Sequence, residues 1–249
     1  PENLECRVNL GAALGKLGRA EQALVVLKAG RSGGRPGPPE LLNALAVAYA
    51  VDNGAHVLSN SWGGSGTSQL LEDAFRYVHT GGADGLRGGV SIVAAGNDNS
   101  DAAGYTPANI PEVVTVAAID RQDAKASFSN YGFGVDVAAP GVNVLSSMPD
   151  SAVLASPSRK VSDGYYRLNG TSMACPHVSG VAALIIGQHP EYEPLQVQWV
   201  LQNTARALPG TSPQRFAPGF GCVDAGASIA YSGTPPKLDA HLAPVEIRT

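Results

Sequence analysis

A serine directly in front of an apolar helical pattern is the strongest candidate for chemistry in this sequence. Ser172 lies in NGTSMACPHVSGVAALI, residues 169–185, where Gly170 permits close backbone approach and Pro176 suits the first turn of a helix. The apolar residues that follow at helical spacing are Val178, Val181, Ala182, Leu184 and Ile185. Free N–H groups at the start of such a helix favour negative charge. Two interpretations stay open from the residues alone: Ser172 caps the helix, or it is a nucleophile that needs a base.

The elements that must position this serine alternate between strands and helices. Short apolar runs predict strands at residues 23–29, 55–61, 90–96 and 112–120. Helical patterns cover residues 41–54, 67–82 (with Thr67 or Ser68 as cap), the stretch after Pro176, and residues 194–205. Strand–helix–strand connections of this length predict an α/β fold, with a mostly parallel central sheet and helices on both faces.

Composition and charge exclude several classes of protein. The 249 residues suffice for one large domain or two small ones. The net charge of −4, without a long run of Lys or Arg, predicts no nucleic-acid partner and no anionic membrane partner. No apolar run reaches the roughly 18 residues of a membrane span. The cysteines Cys6, Cys175 and Cys222 form neither a disulfide framework nor a zinc site by their spacing.

Several motifs together resemble the subtilases, the subtilisin-like serine proteases. The stretch NGTSMACPHVSG is similar to the nucleophile motif of that family, and SIVAAGND, residues 91–98, resembles the strand and turn that carry its oxyanion-hole asparagine. VLSNSWGG, residues 57–64, resembles the strand whose edge binds substrate backbone. Two further segments, residues 126–146 and 218–225, are also similar to the family. The resemblance covers about residues 23–232 and implies a subtilisin-like fold.

The resemblance implies a role for each matching residue. Ser172 would attack a peptide carbonyl, and the Asn97 side-chain amide with the Ser172 backbone N–H would stabilise the oxyanion. For Asn97, a turn residue after a strand is the alternative. The implied substrate-binding residues are Ser61, Trp62 and Gly63 at the strand edge, Ala94, Ala95 and Gly96 in the wall of the specificity pocket, and Gly170 and Thr171 beside the nucleophile.

The resemblance also bears on ligands, location and backbone geometry. It implies no cofactor for the chemistry, a peptide or protein as substrate, and a place outside the cell or in the secretory pathway. Subtilases often bind a structural calcium ion, and Asp98 and Asp101 are candidate ligands. Their spacing does not resemble an EF-hand loop, so a solvated acidic loop is the favoured interpretation. The segment GYTPANIP implies a cis peptide bond before Pro107.

The sequence departs from the family in one respect. The subtilase triad runs Asp, His, Ser along the chain, and only the serine motif is present. We expect the Asp-Thr-Gly or Asp-Ser-Gly motif and the His-Gly-Thr-His motif upstream of Pro1, so that the N-terminal part of the domain is missing. None of the histidines fits the position of the family's base: His56, His79, His177, His189 and His241.

These observations predict a domain organisation and rank three functions. Residues 23–232 would be an incomplete catalytic domain, and residues 233–249 a tail or linker. Residues 1–22 stay unassigned, either as a divergent subtilase segment or as a repeat-like helix, since residues 9–24 resemble part of a tetratricopeptide repeat. A serine endopeptidase is the favoured function because nucleophile and oxyanion donor are both present. The alternatives are an inactive subtilase-like protein that binds peptides or a partner, and an interaction protein fused to repeats.

Overall fold

The computed structural model describes residues 39–81, 88–150, 152, 156–209 and 219–237. Its helices are α1 (Pro39–Asp52), α2 (Gln69–His79), α3 (Thr171–Gln188), α4 (Pro194–Asn203) and α5 (Ala225–Ala230), with a 3₁₀ turn at Ala102–Gly104. Its strands are β1 (Val57–Asn60), β2 (Gly64–Ser65), β3 (Val90–Ala94), β4 (Tyr105–Thr106), β5 (Val113–Ile119), β6 (Val137–Pro140), β7 (Val144–Ser147), β8 (Lys160–Ser162) and β9 (Tyr165–Leu168). The strand predicted at residues 23–29 lies outside the described residues.

A four-stranded parallel sheet forms the centre of the fold. Its strand order is β1-β3-β5-β6, and each neighbouring pair runs parallel. Every residue of β3 and of β5 is buried, as expected for strands covered on both faces. The prediction of a mostly parallel sheet is therefore confirmed.

Helices cover both faces of the sheet, also as predicted. Alternate residues of β5 divide between two apolar clusters because successive side chains of a strand point to opposite faces. Val113 and Ala117 pack in the cluster that includes Phe75 of α2, together with residues of α1. Val116 lies in the other cluster, with Val178 of α3 and with residues of α4. Helix α3 is thus held directly under the sheet.

Helix boundaries follow the sequence signals closely. Helix α1 begins at Pro39, where a missing N–H is tolerated, and Gly54 follows its end with a φ of +82°. At the start of α2, the Ser68 side chain accepts a hydrogen bond from the backbone N–H of Leu71, so that Ser68 rather than Thr67 is the cap. None of the described helices is long and apolar enough to cross a membrane.

Two expectations about local structure are corrected. The strand predicted at residues 55–61 covers only Val57–Asn60. His56 and Ser59 are exposed, and β1 lies at the edge of the described sheet. Leu184, expected in the buried face of α3, is 51% exposed, since it lies on the side of the helix away from the sheet core. The antiparallel sheet β7-β9-β8 and the strand β6 were not predicted.

The first residues of the predicted tail contact the domain. The Tyr192 hydroxyl donates to the carbonyl oxygen of Gly233 at 3.1 Å, and the Gln196 side chain donates to that of Pro235 at 3.1 Å. The boundary between domain and tail at residue 233 stays a prediction.

Candidate active site

The candidate site lies at the carboxyl edge of the parallel sheet, where ligands commonly bind in α/β folds. Strands β1 and β3 pair in parallel, with Asn60 opposite Val93. Residues 61–63 leave β1 and residues 95–97 leave β3 at this edge. The amino end of α3 reaches the same edge, since the Ser61 hydroxyl donates to the carbonyl oxygen of Ser172 in that helix. Segments that are far apart in sequence therefore meet at one place.

One pocket brings the predicted residues together. Ser172 and Asn97 both line it, and so do all of the predicted substrate-binding residues except Gly170. Gly170 is buried beside it, and its N–H donates to the carbonyl oxygen of Gly141 at 2.8 Å. Asp98, a candidate calcium ligand from the sequence, also lines the pocket. The further lining residues are Gly64, Ser65, Tyr105, Thr106 and Ala108.

The Asn97 side chain is held by the first residue of α3. Its Oδ1 accepts a hydrogen bond from the backbone N–H of Thr171 at 2.9 Å and from the Thr171 hydroxyl at 3.0 Å. The same hydroxyl accepts from the N–H of Gly96 at 3.2 Å. Because the amide oxygen faces α3, the NH₂ group lies on the opposite side of the amide. Asn97 is exposed, so this NH₂ group is accessible to a ligand.

Ser172 is the second residue of α3, and it exchanges two hydrogen bonds with Ser61. The Ser172 Oγ donates to the carbonyl oxygen of Ser61 at 3.3 Å, and the Ser61 Oγ donates to the carbonyl oxygen of Ser172 at 2.9 Å. Pro176 explains the second bond. It is the sixth residue of α3 rather than a first-turn residue, so it has no N–H for the carbonyl four residues earlier. The Ser61 hydroxyl takes that place.

The described residues that line the pocket include no histidine. The Nδ1 of His177 lies 2.8 Å from the carbonyl oxygen of Met173 on the exposed side of α3. His79 ends α2, where burial lowers its pKa. His189 stacks on Tyr192, with the ring centroids 4.4 Å apart. His56 precedes β1, and His241 lies outside the described residues.

Asp98, Asp101 and the Thr106–Pro107 bond lie in the segments beside the pocket. Asp101 caps the 3₁₀ turn, accepting from the N–H of Ala103 at 2.9 Å, whereas Asp98 lines the pocket. Among the described residues, no cluster of three or more His, Cys, Asp and Glu could hold a metal ion. The Thr106–Pro107 peptide bond is cis, which confirms the prediction, and Thr106 lines the pocket.

Burial raises the pKa of the Cys175 thiol beneath the site, which keeps the thiol protonated.

Residues 8–221 match the Subtilase family. The chain belongs to this family of serine proteases. It is 35% identical over 222 residues to a probable subtilase-type serine protease of Deinococcus radiodurans, covering 84% of this chain and 29% of that protein. It is 40% identical over 183 residues to a protein named Extracellular protease of Xanthomonas campestris, covering 73% of this chain and 30% of that protein. The chain thus spans less than a third of either relative.

A solved protease structure agrees with the fold. A protease from Pseudoalteromonas arctica aligns with a TM-score of 0.67 and 36% identity, covering 78% of this chain and 59% of that one. The match to the family begins at residue 8, within the segment that the sequence left unassigned.

One residue of this subtilase that the sequence did not single out is buried behind the site. Asn130 lies in the segment ASFSNYG, which resembles the family but carries no motif for chemistry. Its side chain bonds to the loop that contains Asn97. No periodicity or spacing could have indicated this contact, because the two segments are about 30 residues apart.

Proposed function

We propose that this subtilase is a serine endopeptidase that forms an acyl-enzyme on Ser172. The observation that carries the proposal is the pocket that Ser172 and Asn97 share, which residues 61–63 also line. A nucleophile, an amide donor and a backbone segment that can pair with the substrate are the parts that cleavage of a peptide bond requires.

In this proposal, Ser172 attacks the scissile carbonyl carbon and Asn97 stabilises the negative charge that develops on the carbonyl oxygen. The Asn97 NH₂ group and the backbone N–H of Ser172 are the two donors. The second N–H of a helix has no intrahelical acceptor, which supports its use for the oxyanion. Loss of one side-chain donor from such a site lowers kcat by about 100- to 1,000-fold.

The substrate would lie as an extended strand along residues 61–63, bound mainly through its backbone. The wall formed by Ala94, Ala95 and Gly96 leaves room for one side chain of the peptide. Backbone binding of this kind accepts many sequences, so we propose peptides or proteins as substrates. The chemistry proposed here uses no cofactor.

The base would come from residues that precede this chain. In the structure the Ser172 Oγ donates to the carbonyl oxygen of Ser61, which cannot take up its proton. We propose that an upstream segment supplies the Asp and His motifs, and that residues 23–232 form the remainder of the catalytic domain. The much greater length of the relatives supports this arrangement. The name of the Xanthomonas relative supports a place outside the cell.

The alternative is a subtilase-like protein that binds peptides without cleaving them. The observation that favours it is the lack of a histidine among the described residues that line the pocket. Both functions use the same groove, so binding of a peptide does not distinguish them. Turnover that depends on Ser172 distinguishes the endopeptidase from the peptide-binding protein.

The test compares three proteins in a peptide-hydrolysis assay. The first is the 249-residue chain, and the second is the completed protein, in which an upstream subtilase segment with the Asp and His motifs precedes this chain. The third is the completed protein with Ser172→Ala. We expect robust hydrolysis, blocked by a serine-directed organophosphorus reagent, from the second alone. Full turnover by the Ser172→Ala variant would contradict the assignment of the nucleophile, and binding without turnover by the completed protein would favour the alternative.

A further inference from the structure

The loop that carries Asn97 rests on the buried side chain of Asn130. Asn130 is 0% exposed. Its Nδ2 donates to the carbonyl oxygen of Ala95 at 2.9 Å, on one side of Asn97. Its Oδ1 accepts from the N–H groups of Asp98 and Ser100, each at 3.0 Å, on the other side. One amide therefore ties down the backbone both before and after Asn97.

The backbone of Asn130 adds a fourth bond to the same loop. Its N–H donates to the carbonyl oxygen of Gly96 at 3.0 Å. Asn130 is itself held in place, since the Ser129 hydroxyl donates to its carbonyl oxygen at 3.0 Å. The Lys125 Nζ donates to the Ser129 carbonyl oxygen at 2.9 Å and to the Asn99 Oδ1 at 2.8 Å, which joins the supporting segment to the loop once more.

Gly96 shows how closely the loop packs on this amide. A Cβ placed on Gly96 would clash with the Asn130 Nδ2, at a separation that real Cβ atoms do not show. The φ of Gly96 is +105°, a region that side chains disfavour. The loop thus reaches Asn130 only because the residue before Asn97 is a glycine.

The chemistry of the contact requires an amide. An amide both donates through nitrogen and accepts through oxygen, and here it does both in the protein interior. An ionised carboxylate only accepts, so it would leave the Ala95 carbonyl without its donor. An apolar side chain would leave the loop N–H groups unpaired, which is unfavourable in a buried place.

We propose that Asn130 is a positioning residue for the oxyanion hole. It holds the backbone of residues 95–100 so that Thr171 can fix the Asn97 amide oxygen and leave the NH₂ group directed at the reacting carbonyl. Asn130 does not touch the substrate, and it acts only through Asn97. The inference rests on the proposed function.

The first test measures the position of Asn97 without using activity. The Thr171 N–H is the first of α3 and donates to the Asn97 Oδ1, so its hydrogen exchange reports whether the Asn97 side chain is held. In the 249-residue chain, Asn130→Ala should speed exchange of the Asp98, Ser100 and Thr171 N–H groups by at least about tenfold. Faster exchange at residues 98 and 100 with no change at Thr171 would overturn the proposal.

The second test is a double-mutant cycle in the completed protein. Alone, Asn130→Ala should lower kcat by about 10- to 100-fold with KM changed less than about twofold, since small displacements of a catalytic group have effects of this size. In the Asn97→Ala background, the same substitution should lower kcat by less than about threefold, because its effect is transmitted through Asn97. An equal fall in kcat in both backgrounds, or a rise in KM with kcat unchanged, would show that Asn130 does not act through Asn97.

Control variants distinguish the role of Asn130 from a general loss of folding and from a failure of the proposed function. Asn203→Ala removes an exposed amide at the end of α4 that donates to the Trp199 carbonyl at 2.9 Å, and it should change neither measurement. If Asn130→Ala does not fold, Asn130→Ser, which keeps a small donor and acceptor, replaces it with the same expected pattern. Full turnover by Ser172→Ala would contradict the proposed function, whereas unchanged exchange at Thr171 contradicts the role of Asn130 alone.

Discussion

The Ser61 hydroxyl donates a hydrogen bond to the carbonyl oxygen of Ser172 at 2.9 Å, across 111 residues of sequence. The carbonyl of Ser172 lacks a helical donor because residue 176 is a proline. A residue that follows strand β1 thus fixes the backbone of Ser172. The bond links the part of the site that would bind substrate to the part that would react with it.

Replacing Ser61 with alanine should therefore affect both stability and turnover. Ser61→Ala removes one partly exposed hydrogen bond, so we expect the free energy of unfolding of the completed protein to fall by about 1 kcal/mol. We expect kcat to fall more than KM rises, because the Ser172 backbone becomes less well placed. Denaturant unfolding and peptide-hydrolysis kinetics measure the two effects.

Ser127→Ala serves as the control for Ser61→Ala. Ser127 is exposed and does not line the pocket, so its replacement should leave both quantities unchanged. Equal kinetics for Ser61→Ala and the unmodified protein would show that the hydroxyl has no part in placing Ser172.

Gly96 and Gly66 form a matched pair for testing how tightly the Asn97 loop packs. Both have a left-handed φ, of +105° and +101°. A Cβ on Gly66 meets nothing within 4 Å, whereas one on Gly96 clashes with the Asn130 amide. We expect Gly66→Ala to lower the free energy of unfolding by about 1–2 kcal/mol through backbone strain alone. Gly96→Ala should lower it by a further 1–3 kcal/mol or so, through overpacking. Denaturant unfolding measures the free energy of unfolding of both variants. Equal losses would mean that the Asn130 side chain shifts to accommodate the new Cβ at no cost.

Continuous apolar runs made the sheet predictable from the sequence. Strands β3 and β5 are buried along their whole length, and a strand of that kind appears as an uninterrupted apolar run. Helix α2 was equally clear, since Ser68 caps it and its apolar residues recur at helical spacing. The motifs around Ser172 and Asn97 then indicated that the two side chains share one pocket.

The supports of the site were not predictable in the same way. Asn130 and Pro176 act through partners that have no fixed spacing from them, namely the Asn97 loop and the Ser61 hydroxyl. The strands of the sheet β7-β9-β8 are largely exposed, so no apolar pattern marks them. Such contacts follow from the tertiary fold, and a single sequence carries no local signal for them.

The largely enclosed Asp136 carboxylate predicts a specific pH dependence of stability. The Asp136 carboxylate accepts hydrogen bonds from the Thr115 N–H and from the side chains of Gln198 and Gln202. Burial raises the pKa of Asp136 from 3.8 to about 6, against the opposing effect of these bonds. Between those two values the folded protein holds a proton that the unfolded chain has released. Asp136 therefore favours folding at the acidic end of this window, and the benefit is lost as the pH rises through about 6.

Asp136→Asn should remove this dependence. We expect the free energy of unfolding of the unmodified protein, relative to the variant, to fall by an amount on the order of 1–3 kcal/mol between about pH 4 and pH 7. Denaturant unfolding at a series of pH values measures it. Asp163→Asn is the control, since that side chain is 96% exposed. A difference that rises with pH would show that Asp136 is stabilised in its ionised form.

Thr171 offers the sharpest test of how the Asn97 amide is oriented. Its hydroxyl donates to the Asn97 Oδ1 at 3.0 Å and accepts from the Gly96 N–H at 3.2 Å, and the residue is 0% exposed. Thr171→Val keeps the shape of the side chain but removes both bonds. The backbone N–H of Thr171 still donates to Asn97, so the amide should stay in place but become less well fixed.

We expect Thr171→Val in the completed protein to lower kcat by about tenfold, with KM changed less than about twofold. In the proposed mechanism Asn97 donates to the oxyanion of the transition state and does not contribute to substrate binding. Thr171→Ser keeps the hydroxyl and should retain most of kcat, although it removes a buried methyl group. Peptide-hydrolysis kinetics of the two variants separate the hydrogen bonds from the packing. A loss of kcat in Thr171→Ser as large as in Thr171→Val would mean that the methyl group, rather than the hydroxyl, holds the site, and a rise in KM without loss of kcat would mean that Asn97 acts in binding the ground state.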